Sequence, residues 1–201
     1  MQLYYTHNLQ PRVCVAMARY LNSPVEFIRA DPMGVDKEAM RAINPNTLAP
    51  ILVENHRSLW ETDAVVCRLA RLANSDIWPM DELEELIRWL SWSAHHLTLA
   101  GGTIYFWNIV APQFTTERPD PKVMDEALDN YRQFARILDD TLATRTWLVG
   151  DKLSYADFRV ATTLPFAEKA RMPVEGLENL RKWHDRLMQI DAWRDPFNGL
   201  D

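Results

Sequence analysis

Cysteine is nearly absent from this sequence. The two that occur, Cys14 and Cys67, have neither metal-ligand spacing nor the look of a disulfide framework. A reducing cytoplasm is the default location for such a chain. Positive charge is also in deficit, with 22 Lys and Arg against 28 Asp and Glu and a net charge of −6. That balance removes the electrostatic reason to expect a nucleic-acid partner. No apolar run approaches the roughly 20 residues that cross a bilayer, so no membrane association is expected. The opening Met1-Gln2-Leu3-Tyr4-Tyr5-Thr6-His7 lacks the basic-then-apolar order of a secretory signal. Repeats and low-complexity segments are missing too. With 47% hydrophobic residues, 25% charged and 6 Gly, the composition is that of an ordinary soluble globule. At 201 residues it has room for one large domain or two small ones, each with a usable core.

The first half alternates strand and helix signals. Leu3-Tyr4-Tyr5-Thr6 reads as a strand, and Pro11 as the start of a helix with Val13, Met17, Tyr20 and Leu21 on one side. Asn22-Ser23-Pro24 breaks that helix, and Val25-Glu26-Phe27-Ile28 alternates like a strand. A short helix is expected over 36–43. Pro50-Ile51-Leu52-Val53 and Ser58-Leu59-Trp60 read as two further strands, followed by a helix carrying Val65, Leu69 and Leu72. The order is β-α-β-α-β-β-α.

The second half has no strand signal. Trp78-Pro79 reads as a linker, placing the domains at 1–77 and 83–201. Asp81, Glu82, Glu84 and Glu85 suit a helix N-terminus, with Leu83, Leu86, Ile87 and Leu90 as its buried stripe. Pro119-Asp120-Pro121 precedes a helix with Leu128, Tyr131, Ala135, Leu138 and Leu142 on one face. Ser154-Tyr155-Ala156-Asp157 resembles a capping box with Asp in place of Glu, and Leu153 and Phe158 sit where a hydrophobic staple lies. Leu177, Leu180, His184 and Leu187 mark a last long helix.

Four segments in this order and spacing resemble the cytosolic glutathione transferases. They are Leu3-Tyr4-Tyr5 with the loop before Pro11; Asn44-Pro45-Asn46-Thr47-Leu48-Ala49-Pro50-Ile51-Leu52; Trp60-Glu61-Thr62-Asp63-Ala64-Val65; and Gly150-Asp151-Lys152-Leu153-Ser154-Tyr155-Ala156-Asp157. The resemblance covers nearly the whole chain. It implies an α/β thioredoxin-like N-terminal domain that holds glutathione, joined to an all-α domain. It further implies a detoxifying glutathione transferase, or a related glutathione-dependent peroxidase or disulfide reductase. Such an enzyme needs no cofactor beyond glutathione as co-substrate. The expected partners are glutathione, a small hydrophobic electrophile and a second copy of the chain.

The same resemblance implies a cis bond at Ala49-Pro50, which turns the Ala49 N–H and C=O outward to pair with the cysteinyl part of glutathione. Glu61 and Thr62 fall at a helix start, where unpaired N–H groups and the positive dipole end hold a carboxylate. Thr62 would take the γ-glutamyl carboxylate and Glu61 its ammonium. Helix capping is by far the commoner use of such residues, and both roles can hold at once. Leu48 and Gln10 complete the glutathione set. The family usually has Gly where Thr47 stands and a polar side chain where Leu48 stands. For the glycyl carboxylate there are only the loosely placed cations Lys37, Arg41 and Arg12.

A glutathione enzyme must ionise a thiol of pKa about 8.5. Lowering that by two units takes roughly 2.7 kcal/mol, which one hydrogen bond to an anion plus a helix N-terminus supplies. No Ser or Cys lies between Tyr5 and Gln10. The candidate donors are Asn8, Tyr5, Thr6 and Gln10; the resemblance favours Asn8, since some members of the family use an asparagine or threonine in this loop, and its amide donates without ionising. An Asn beside a helix start is also a plain turn former. Asn8-Leu9-Gln10-Pro11 stands where a glutaredoxin carries Cys-x-x-Cys, so a protein-thiol redox mechanism is not expected. For the electrophile, Trp89, Ser93 and His96 fall on roughly one side of a helix at i, i+4 and i+7, although aromatics at helical spacing are more often core. A noncatalytic binding module on the same fold is the alternative reading.

Overall fold

The computed structural model describes residues 1–31, 34 and 37–200. The chain divides into two compact units, one formed by Met1–Trp78 with Gln189–Asp201, the other by Pro79–Met188.

The first unit contains β1 (Gln2–Tyr5), α1 (Leu9–Tyr20), β2 (Glu26–Arg29), α2 (Lys37–Ile43), β3 (Ile51–Glu54), β4 (Arg57–Trp60) and α3 (Thr62–Leu72). This is the expected thioredoxin-like order; position 36, where the second helix was expected to begin, lies outside the described residues. The sheet runs β2-β1-β3-β4, with β1 parallel to β2 and antiparallel to β3, and β3 antiparallel to β4. Side chains alternate along β1, which decides between the two tyrosines. Leu3 and Tyr5 are buried, whereas Tyr4 packs against the cluster of Ala30, Met40 and Ile51 beside α2. Helix α1 begins at Leu9, two residues before the proline expected to open it, because the Asn8 carboxamide oxygen accepts the Leu9 N–H at 2.8 Å. Pro11 is still in the first turn, where a missing N–H costs no intrahelical bond.

The second unit is wholly helical among the described residues: α4 (Leu83–His95), α5 (Leu97–Tyr105), a π-helical turn at Phe106–Val110, a 3₁₀ turn at Ala111–Gln113, α6 (Pro121–Leu142), α7 (Tyr155–Val160), a 3₁₀ segment at Ala161–Phe166, α8 (Ala167–Ala170) and α9 (Glu178–Leu187). The stripe expected on α4 is only partly right. Leu86 and Leu90 are buried, but Ile87 is 52% exposed and the inward face continues instead through Trp89 and Ser93. No helix among the described residues is long and apolar enough to cross a membrane.

The paired glycines of α5 serve different ends. A Cβ on Gly101 would stand 2.7 Å from the Tyr131 ring and 2.8 Å from the Thr163 methyl, whereas one on Gly102 would meet nothing within 4 Å. Gly101 therefore admits α6, while Gly102 only weakens the helix. Gly101→Ala should destabilise by about 1–3 kcal/mol through overpacking. Gly102→Ala should stabilise by up to about 1 kcal/mol through helix propensity. Urea midpoints of the two variants, moving in opposite directions, are the check.

The chain from Gln189 onward groups with the first unit, whereas the sequence boundaries assigned it to the helical domain. Contacts from α1 account for this. In α10 (Asp191–Arg194), Trp193 is fully buried, and the Arg12 guanidinium lies 4.4 Å over its ring while donating to its carbonyl. Arg19, on the same helix as Arg12, donates to the Asn198 carbonyl.

Candidate functional site

One row across the sheet, Tyr4–Ile51–Trp60, defines the end of the sheet at which the sequence-predicted residues meet. Just beyond it lie three segments: Tyr5 with the loop into α1, Ala49-Pro50 leading into β3, and Glu61-Thr62 leading out of β4. Neighbouring strands are about 4.8 Å apart, so the outer two segments are roughly 10 Å apart. The register thus brings Asn8, Ala49, Pro50, Glu61 and Thr62 to one end of one sheet.

The Ala49-Pro50 peptide is cis. The turn before it is built by Asn44, a buried polar residue. Its side chain donates to the Leu48 carbonyl at 2.7 Å and accepts the Asn46 N–H at 3.0 Å, and its own carbonyl accepts the Thr47 N–H at 2.9 Å. Thr47 is held at φ +56°. That left-handed conformation suits glycine and strains a β-branched residue. The Leu48 side chain points outward and is 58% exposed.

Glu61 precedes α3 at φ +73° and ψ +130°, a region disfavoured for any residue with a Cβ. Holding it there costs on the order of 1–3 kcal/mol, which persists only where the surroundings impose it. No side chain caps α3. The Glu61 side chain thus does not serve as the N-cap that the simple capping interpretation requires, and Asp63 is the acidic residue of the first turn. Thr62 itself is 5% exposed, and its carbonyl accepts a hydrogen bond from Cys14 Sγ at 3.7 Å. Cys14 is fully buried, a small core residue linking α1 to α3.

Around the loop into α1, the candidate donors separate clearly. Tyr5 is 2% exposed, its ring stacked against Phe197 at 5.7 Å and His7 at 5.8 Å. Thr6 is half-buried, and Asn8 is exposed at the helix N-cap. The Asn8 carboxamide oxygen is taken by Leu9, which leaves Nδ2 as the donating end. Gln10 has a buried Oε1 with no hydrogen-bond partner, an acceptor without its complement in the isolated chain. Arg12, named among the loose cations, is 4% exposed and engaged with Trp193. Burial pulls its guanidinium down to about 10, against the opposing pull of Asp195, so it stays charged at neutral pH. It is an anchor within the unit. Arg41 pairs with Glu38 at 3.5 Å on the exposed face of α2.

In the helical unit, the expected trio of Trp89, Ser93 and His96 stands in different surroundings. Ser93 is fully buried, its hydroxyl sharing a hydrogen bond with Thr98 at 2.8 Å and donating to the Arg159 carbonyl at 3.3 Å. Trp89 lines a crevice of about 210 Å³ with Trp92 and Ile137. His96 lines another of about 320 Å³ and stacks on Phe134 at 4.8 Å. The i+7 spacing fails because α4 stops at His95 and His96 adopts φ −126°, ψ −88° between the two helices. The π-helical turn at Phe106–Val110 was missed, although Phe106-Trp107 belongs to the aromatic run that sequence singled out; Phe106 there is 46% exposed. No group of three or more His, Cys, Asp or Glu among the described residues is placed to hold a metal ion.

A thioredoxin-like unit with an uncapped helix N-terminus beside a proline-led strand, followed by an all-helical unit, defines a class of two-domain protein. Comparison with known proteins names the family. The model of the glutathione S-transferase N-terminal domain matches residues 11–76, and that of the C-terminal domain matches residues 100–191. The chain is 25% identical over 185 residues to a probable glutathione S-transferase of Oryza sativa subsp. japonica, covering 87% of this chain and 85% of that protein. It is 25% identical over 221 residues to a dichloromethane dehalogenase of Methylophilus leisingeri, covering 96% and 80%. Among solved structures, a glutathione S-transferase-I bound with lactoylglutathione superposes with a TM-score of 0.86 at 20% identity, over 97% of both chains. The chain belongs to the glutathione S-transferase superfamily.

Proposed function

We propose that this chain is a glutathione transferase: it binds glutathione across the end of the sheet, ionises its thiol, and directs the thiolate at a small hydrophobic electrophile. The observation that carries the reading is the start of α3, where Glu61 is held at positive φ and no side chain caps the helix. That arrangement suits a ligand carboxylate beside Thr62, with the Glu61 carboxylate for the adjoining ammonium. An extended tripeptide is about 10 Å long, which matches the span from Thr62 past Ala49 to the loop at Asn8. Its cysteinyl part would pair with the Ala49 backbone, and its sulfur would lie by the Asn8 amide. Leu48 offers only its exposed side chain and Gln10 its unpartnered oxygen to that ligand. In the reaction the thiol proton leaves to solvent, a carbon–sulfur bond forms, and the bond from carbon to the leaving group breaks. The solved relative that holds lactoylglutathione on the same fold supports the choice of tripeptide.

Retention on immobilised glutathione, together with conjugation of an activated aryl halide, tests the proposal. Binding with turnover is expected; binding without turnover would make the chain a noncatalytic glutathione-binding protein, and neither would end the reading. Thr62→Ala should raise the glutathione Kd at least tenfold, since a hydrogen bond to a charged group is worth about 1.5–3 kcal/mol. Isothermal titration reads that change directly. We also propose a homodimer, and a monomer mass by light scattering at micromolar concentration would contradict it.

A further inference from the structure

The glutathione reading uses the loop at Thr6–Asn8 but leaves unexplained what holds that loop in place. Among the described residues, the loop's aromatic contact outside β1 comes from the far end of the chain. The Phe197 ring lies 4.4 Å from the His7 ring and 5.7 Å from the Tyr5 ring, while Tyr5 and His7 lie 5.8 Å apart and nearly parallel. His7 forms no hydrogen bond among the described residues, so this stack is its restraint. The segment bearing Phe197 is itself fixed on both sides. Upstream, the buried Arg12 lies over the Trp193 ring and donates to its carbonyl. Downstream, Arg19 donates to the Asn198 carbonyl. Both arginines belong to α1, the helix whose N-terminus follows the loop.

We propose that Phe197 is a positioning residue of the thiol site: the C-terminal segment clamps the His7 side of the loop so that Asn8 presents its amide in the productive direction. The inference rests on the glutathione reading, and it follows from chain geometry. Tyr5 and His7 both stack on Phe197, and Asn8 shares a peptide bond with His7 in the bend that leads into α1. Asn8 itself is extended, at φ −119° and ψ 171°. Turning His7 therefore turns Asn8 with it. A displacement of about 1 Å in a group that meets the reacting atom can cost a hundredfold in rate, so a modest loosening is enough to be measured. Phe197 acts here on the thiol-side loop, so glutathione binding should survive its loss.

The test uses Phe197→Ala, Phe197→Leu and Phe197→Tyr in the full chain, with circular dichroism melts to confirm folding. The expected result for Phe197→Ala and Phe197→Leu is a fall in kcat of about tenfold, a KM for glutathione within twofold of wild type, and a pH–rate profile displaced to higher pH. Faster amide exchange at residues 6–9 should accompany it, and Phe197→Tyr should restore all four readings. A kcat and an exchange pattern unchanged in Phe197→Leu would overturn the positioning role while leaving the enzyme intact. A wild-type protein that neither binds glutathione nor turns over would instead overturn the underlying function, and this inference with it.

Discussion

Replacing Asp157 by Ala should lower the unfolding free energy by about 3–5 kcal/mol and Tm by about 10 °C. The Asp157 carboxylate is fully buried, and four donors converge on it: the Leu148 N–H at 3.0 Å and Trp183 Nε1 at 2.9 Å on one oxygen, the Ser154 N–H at 2.9 Å and Ser154 Oγ at 3.3 Å on the other. Together they tie the loop before α7, the start of α7 and the middle of α9 to a single group. Alanine strands two backbone N–H groups and an indole N–H where water cannot reach them, at about 1–3 kcal/mol each. The relief of no longer burying a charge offsets part of that sum. Urea unfolding followed by tryptophan fluorescence is the measurement, and a loss under 1 kcal/mol would show that the four bonds contribute little.

The same carboxyl gives stability an unusual pH dependence. Burial pushes it up to about 6 from an ordinary 3.8, even though all four hydrogen bonds pull it down. The folded protein then holds a proton between those values that the unfolded chain has released. This contribution is complete below about 3.8 and is lost as pH rises through about 6. Ser154 Oγ, by rotating its hydroxyl, can accept from the protonated form. Asp157→Asn cannot titrate, so its cost relative to wild type should be greater at pH 4.5 than at pH 7. An equal cost at both pH values would place the carboxyl in its ordinary range.

Sequence revealed the fold because the local signals and the tertiary solution agree. Period-two strands, Asn22-Ser23-Pro24 and Pro119-Asp120-Pro121 each act over a few residues, so no distant information is needed to read them. The meeting of Asn8, Ala49, Pro50, Glu61 and Thr62 at one sheet end follows in the same way, since each part is a short segment and the sheet register assembles the parts. What failed depended on direction or on distance. Val13, Met17 and Leu69 obey helical periodicity, but Ile87 obeys it too and still faces outward, because periodicity does not say how wide the buried face is. His96 left its face when the helix broke at that residue, with no Pro or Gly to announce the break. The packing of the tail was not legible because Trp193 and Phe197 declare only that something must cover them. Their partners Arg12 and His7 lie more than 180 residues upstream, and a buried arginine cannot be told from a solvated one in sequence.

Asn8 should prove decisive for turnover, and two substitutions there separate its possible roles. Asn8 caps α1 through its oxygen and, on the proposed reading, donates to the glutathione thiolate through its nitrogen. Asn8→Ala removes both, costing about 1 kcal/mol of stability and at least tenfold in kcat/KM, or about 1.4 kcal/mol of transition-state stabilisation. Asn8→Asp keeps an acceptor for the Leu9 N–H and places a negative charge at the positive end of α1, so its stability should match or exceed wild type. It removes the donor, however, and sets that charge beside the sulfur, where it opposes ionisation of the thiol. The bound thiol should then titrate at higher pH than in wild type, and turnover at neutral pH should fall below that of Asn8→Ala. If Asn8 is only a cap, the order reverses: Asn8→Asp would be stable and fully active, and only Asn8→Ala would suffer. A pH–rate profile of wild type and both variants, set beside their melting temperatures, decides between a donor to sulfur and a helix start that happens to lie near it.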